Sequence, residues 1–145
     1  MKLNIFKSSE FTEPEITLKY SEETPQIETL IETLRIFCQS IQAEKNGSNH
    51  TIALDEIFYI ESVDEKSYIY TKDDVYDCKH KLYTIEKMLE DTSFIRVSKS
   101  CILNIARLKS VRPFINGKFE ATMRNGEKII INRHYVSAFK KKFGV

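Results

Sequence analysis

Three short stretches of this chain carry hydrogen-bond donors at a spacing that suits an anionic, acceptor-rich partner. The first is Ser98-Lys99-Ser100, a cation framed by two hydroxyls, with Arg96 two residues before it and Phe94 and Ile95 as apolar anchors. Such donors match phosphate oxygens and base acceptors. They equally suit a plain loop whose hydroxyls cap turns. The second is Asn132-Arg133, which follows the run Ile129-Ile130-Ile131. Asn132 can cap a helix, and Arg133 would then stand at a strand-to-helix corner. A guanidinium there can pair with guanine O6 and N7, and backbone amides at the corner can hold a phosphate. The ordinary alternative is an arginine that neutralises nearby acids. The third is Lys66-Ser67-Tyr68, again a cation, a hydroxyl and an aromatic donor. Lys140-Lys141-Lys142 says less, because cations favour a helix C-terminus in any case.

The charge distribution points the same way. Net charge is only +1, yet residues 94–145 carry twelve Lys/Arg against two Asp/Glu, and residues 49–93 carry five against eleven. A basic segment behind an acidic one suits a polyanion. It also suits charges that pair with one another across the fold, and charge alone does not choose.

Other chemistries lack their residues. The sequence has no Gly-rich phosphate loop, CxxC, HExxH or GxSxG. His50, His80 and His134 are far apart, and Ser98 and Ser100 have no nearby base to activate them. Cys38, Cys78 and Cys101 fit neither a metal motif nor a disulfide framework, and read as reduced core residues. No cofactor, metal or catalytic residue is expected. No apolar run approaches the length of a membrane span, and the N-terminus turns polar at Lys7, so a cytoplasmic protein without membrane insertion is expected.

The elements that must position these residues fall into two textures. Residues 1–48 read as strand, strand, helix. Leu3–Phe6 and the alternating Ile16, Leu18 and Tyr20 suggest strands. Thr24-Pro25 starts a helix whose apolar face runs from Ile27 to Ile41, with Asn46-Gly47 as its stop. The apolar-free stretch 45–50 marks a boundary, giving an accessory or dimerisation element over 1–48 and a second domain over 49–145. That domain reads as mostly β with short helices. Its turn signals are Asp73-Asp74, Asn116-Gly117 and Asn125-Gly126, with a short helix through Leu82, Ile85 and Leu89 and a last one burying Val136, Phe139 and Phe143. The whole chain is therefore α+β.

An ordered series of segments resembles the LytTR-type DNA-binding domain family over residues 50–145. It comprises Leu54–Glu61, Lys66–Ile69, Lys81–Leu89, Phe94–Asn104, Asn125–Lys128 and Arg133–Tyr135. The resemblance implies an elongated β fold that lies along double-stranded DNA and inserts loops into successive grooves. It puts Tyr68, Lys99 and Arg133 at base-contacting positions, and Lys66, Ser67, Arg96, Ser98, Ser100 and Asn132 at backbone-contacting ones. Where the family often has His-Arg-Ser, this chain has Ser98-Lys99-Ser100. Lysine keeps the charge but lacks the planar fork. Asn132 replaces a frequent serine and still caps.

The resemblance implies a bacterial transcription regulator. No aspartate precedes Asp55, so a stand-alone form without a phosphate-accepting receiver is expected, and a homodimer on repeated half-sites. Two other readings stay open: a single-strand or RNA binder using Tyr59, Tyr68, Tyr70 and Tyr76 on an exposed sheet face, and a protein-interaction module.

Overall fold

The computed structural model describes residues 1–144. After helix α1 (Pro25–Phe37), the strands are β1 (Ser40–Lys45), β2 (Ser48–Ala53), β3 (Tyr59–Val63), β4 (Lys66–Tyr70) and β5 (Val75–Cys78). Helix α2 (Leu82–Met88) leads to β6 (Phe94–Ser98), β7 (Cys101–Asn104), β8 (Leu108–Pro113), β9 (Phe119–Met123) and β10 (Lys128–Ile131), and α3 (Arg133–Phe143) closes the chain. The strands form a seven-stranded sheet in the order β2-β1-β5-β4-β3-β7-β6 and a three-stranded sheet in the order β10-β9-β8. The pairings within both sheets are antiparallel.

Side-chain alternation sorts the core into two clusters, one on each face of the large sheet. Ile60, Ile69 and Ile102 face one way and pack with Leu82, Ile85 and Leu89 of the α2 region and with Ile41 and Ile52 of β1 and β2. Cys101 and Leu103 face the other way and pack with Ala121, Met123 and Ile131 of the small sheet and Phe139 of α3. The mostly β architecture read from the sequence is the one observed. The Asp73-Asp74, Asn116-Gly117 and Asn125-Gly126 turns each join paired strands, and Val136, Phe139 and Phe143 of α3 face the second cluster.

The N-terminal region differs from the expected strand-strand-helix. Residues 1–24 contain no strand, and Leu3, Ile5 and Phe6 stand in solvent. Alternation over four or five residues does not suffice when no neighbouring strand offers its hydrogen bonds. Helix α1 starts at Thr24, whose hydroxyl accepts from the Ile27 amide at 3.3 Å. It ends at Phe37, earlier than the apolar pattern suggested, and Gln39 then takes a left-handed φ of 63°. Ile41 therefore enters the core from β1, where Ile41 and Ala43 alternate inward. Asn46-Gly47 is not a helix stop. Both residues have positive φ, 53° and 79°, and they turn the β1–β2 hairpin, the conformation such a dipeptide favours. The division expected after residue 48 falls inside β2. Among the described residues no helix is long and apolar enough to cross a membrane.

Asn104 ties the layers at the end of β7. It is fully buried, and its Nδ2 donates to the carbonyls of Ile57 at 2.8 Å and Leu54 at 3.3 Å. Its Oδ1 accepts from the Ala106 amide at 3.0 Å and the Ser93 hydroxyl at 2.6 Å. Replacing it by alanine strands several buried groups. Asn104→Ala should lower stability by about 2–4 kcal/mol, read as a shifted urea midpoint. An unchanged midpoint would show that these bonds are dispensable.

Candidate nucleic-acid interface

The β6–β7 turn is built around Arg96. Its Nε donates to Ser98 O at 2.7 Å, one terminal nitrogen to Lys99 O at 2.5 Å, and the other to Glu86 of α2 at 3.0 Å. The Arg96 side chain is only 16% exposed. It therefore braces the turn from behind, with each of its three nitrogens already donating one bond. Ser98 Oγ accepts from the Ser100 amide at 3.2 Å, and the two hydroxyls lie 3.4 Å apart. Lys99 is left at the tip, exposed. Burial pushes the thiol of Cys101, the next residue after the turn, up to about 12; Glu61 adds to this and Arg96 offsets it. The thiol stays neutral and packs as an apolar group.

Two backbone bonds bring other elements to this turn. The Asn132 amide donates to Val97 O at 2.9 Å, which fixes the β10–α3 corner beside Ser98-Lys99. Asn132 caps α3, its Oδ1 accepting from the Arg133 amide at 2.9 Å, and Arg133 stands exposed at the first helical position. The Ser62 amide donates to Ser100 O at 2.8 Å, which docks the end of β3 on the turn. Strand register then places Tyr68 opposite Glu61, Glu61 opposite Cys101, and Cys101 opposite Ser98. Tyr68 thus lies three strand spacings from the turn, about 14 Å. Lys66 is exposed at the start of β4, after a two-residue turn in which Asp64 and Glu65 both have positive φ.

Lys99, Arg133, Lys66 and partly exposed Tyr68 are thus gathered at one end of the two-sheet frame, with Ser98, Ser100 and Asn132 between them. Ser67 is different. It is 2% exposed, on the same side of β4 as Ile69, and its hydroxyl has no partner. The adjacent Lys79 and Lys81, which the sequence reading did not single out, line a cleft with Lys66, Ser67 and Tyr68. Their signal was a cation pair around His80 at a strand end. Lys79 lies 3.5 Å from Glu32 of α1, and Lys81 lies 3.6 Å from Glu65. Gly117 is a further neighbour that sequence spacing concealed: a Cβ there would lie 3.7 Å from Arg133 Cβ.

The basic segment is not neutralised by the acidic one. Among the described residues, Arg96–Glu86 is the only ion pair that joins residues 94–144 to residues 49–93, and Lys66, Lys99 and Arg133 have no carboxylate within ion-pair distance. The described residues bring together no group of His, Cys, Asp and Glu that could hold a metal ion.

Residues 47–144 match the family model described as the LytTr DNA-binding domain. The chain belongs to this family. Among similar proteins, the sensory transduction protein LytT of Bacillus subtilis is 31% identical over 139 residues, covering 87% of this chain and 57% of that protein. LytT of Enterococcus faecalis is 34% identical over 91 residues, covering 62% of this chain and 38% of that protein. The chain thus spans between about two-fifths and three-fifths of the length of these relatives. A solved LytTr DNA-binding domain of a putative methyl-accepting/DNA response regulator from Bacillus cereus superposes with a TM-score of 0.69 at 26% identity, covering 74% of this chain and 98% of that one.

Arg96→Lys separates bracing from charge. It keeps the cation but cannot reach Glu86, Ser98 O and Lys99 O together. The expected outcome is faster amide exchange in residues 98–100 and a loss of about 1–2 kcal/mol of stability. Unchanged exchange would rule out the brace.

Proposed function

We propose that this chain is a cytoplasmic transcription regulator that recognises specific sites in double-stranded DNA. Tyr68, Lys99 and Arg133 reach base edges in successive grooves, and Lys66, Ser98, Ser100 and the Asn132 corner meet the sugar-phosphate backbone. Ser67 and Arg96 support this surface from within and are not contacts. The observation that carries the reading is the pairing of two unneutralised cations, Lys99 and Arg133, on adjacent turns locked by the Asn132–Val97 bond. Turns projecting from a frame buried on both faces suit grooves, since sequence is read by side chains that reach base edges. A relative of 28% identity, from Staphylococcus aureus, is named a transcriptional regulatory protein, LytR.

The single-strand reading needs free aromatic faces on the sheet. Tyr59 and Tyr70 stack on each other, with ring centroids 4.4 Å apart and planes 12° apart, and Tyr76 lies edge-on to His50. Burial, then the nearby Glu127 carboxylate, holds the Tyr59 phenol well above its ordinary range. These rings are already engaged, which counts against a stacking platform.

Affinity for a duplex site selected from genomic fragments should fall steeply with salt, by roughly −0.9 in log–log slope per neutralised phosphate. Lys99→Ala and Arg133→Ala should each weaken it by about 1–3 kcal/mol and relax base preference locally. Wild-type affinity in both variants would sink the site assignment.

Residues 1–48 are proposed to mediate self-association. No residue of α1 is fully buried, and its Ile27, Leu30, Ile31 and Leu34 remain partly open to solvent. A helix with one apolar face needs a partner surface. Sedimentation should give a dimer that is lost in Leu30→Glu; a monodisperse monomer at high concentration would count against it.

A further inference from the structure

The β8–β9 turn, residues 114–118, presents an apolar side chain that neither packing nor charge explains. The turn closes on itself: the Phe114 amide donates to Lys118 O at 2.8 Å, and the Lys118 amide to Ile115 O at 3.1 Å. Asn116 and Gly117 take left-handed φ of 56° and 73°, so the tip has one defined shape. Ile115 is 64% exposed, the most exposed large aliphatic residue among described residues 38–144, and Phe114 beside it is also exposed. Burying such a side chain is favourable, and a rigid turn holds it out at little entropic cost on binding.

The location of the turn suggests what covers it. Phe119 pairs with Ile131, so the residues just beyond that pair on each strand, Lys118-Gly117 and Asn132-Arg133, continue side by side. The 3.7 Å approach of a Gly117 Cβ to Arg133 Cβ confirms this neighbourhood. Ile115 is two residues further along the same tight turn. The turn that carries Ile115 is thus the immediate neighbour of the Arg133 corner, on the side from which a groove would be entered by its guanidinium. The major groove offers one apolar group, the C5 methyl of thymine.

We propose that the β8–β9 turn is a fourth DNA-contacting element, in which Ile115 packs on a thymine methyl in the groove that Arg133 reads. This adds an apolar base preference next to the Arg133 position. It rests on the duplex reading above, with Arg133 as a groove-reading residue.

The experiment uses the full chain and a selected duplex site in which thymines are replaced, one at a time, by deoxyuridine. Each replacement removes a single methyl. Wild type should lose about fourfold in affinity at one thymine, the worth of one buried methyl group. Ile115→Ala should lose that sensitivity and keep the salt slope, because no phosphate contact is removed. Ile115→Val should retain part of it. Identical deoxyuridine profiles for wild type and Ile115→Ala would overturn the fourth element. So would a change in oligomeric state with the profile intact, since Ile115 would then face a protein. Arg133→Ala in the same assay separates the two levels. If it weakens binding while the Ile115→Ala profile is unchanged, only the fourth element fails; if it binds like wild type, the reading beneath it fails.

Discussion

Strand β7 is buried along its whole length, and its four residues serve three different neighbours. Ile102 faces the core under α2, Cys101 and Leu103 face the small sheet and α3, and Asn104 turns its amide on the backbone of the segment before β3. Because side chains alternate along a strand, a slip by one residue would exchange the two cores and bury the wrong set. The register of β7 is therefore fixed from both sides, and so is the register of β6, which pairs with it. The Ser98–Ser100 turn between them inherits that rigidity. It projects from the frame at a set angle before any partner arrives.

The cations near this end divide into two kinds. Arg96 is spent on shaping the turn, with its guanidinium shared between two carbonyls and a carboxylate. Lys99 and Arg133 are held in place by other groups and have no ion-pair partner among the described residues. The planar fork of Arg96 suits an internal brace because it can satisfy several acceptors at once. The bulge between Arg96 and Ser98 re-aims this part of β6.

Much of this was legible in the sequence. Asn125-Gly126 and Asp73-Asp74 announced hairpins because their residue types tolerate the turn backbone. Leu82, Ile85 and Leu89 announced α2, and the ordered motifs from Leu54 to Tyr135 identified the family. Asn46-Gly47 misled because the same dipeptide can stop a helix or turn a hairpin. The choice was made by Ile41 and Ala43, whose inward alternation is visible only once Ile52 is known to lie opposite. Leu3–Phe6 and Ile16–Tyr20 misled because alternation implies a strand only where a partner edge exists. In the site, the candidates Lys99 and Arg133 stand exposed on adjacent turns. The withdrawal of Ser67 and the internal use of Arg96 could not be read in advance, because facing is set by the register of β4 and by the position of Glu86.

The brevity of the turns that carry the exposed donors has a consequence for how such a protein can change over generations. Lys99 and Ile115 sit on tips closed by their own backbone bonds, and their side chains contribute nothing to either core. Substitution at these positions leaves the buried strands untouched. The frame can therefore stay constant while its tips vary, so that Ser98-Lys99-Ser100 can stand where the family often has His-Arg-Ser without disturbing either core.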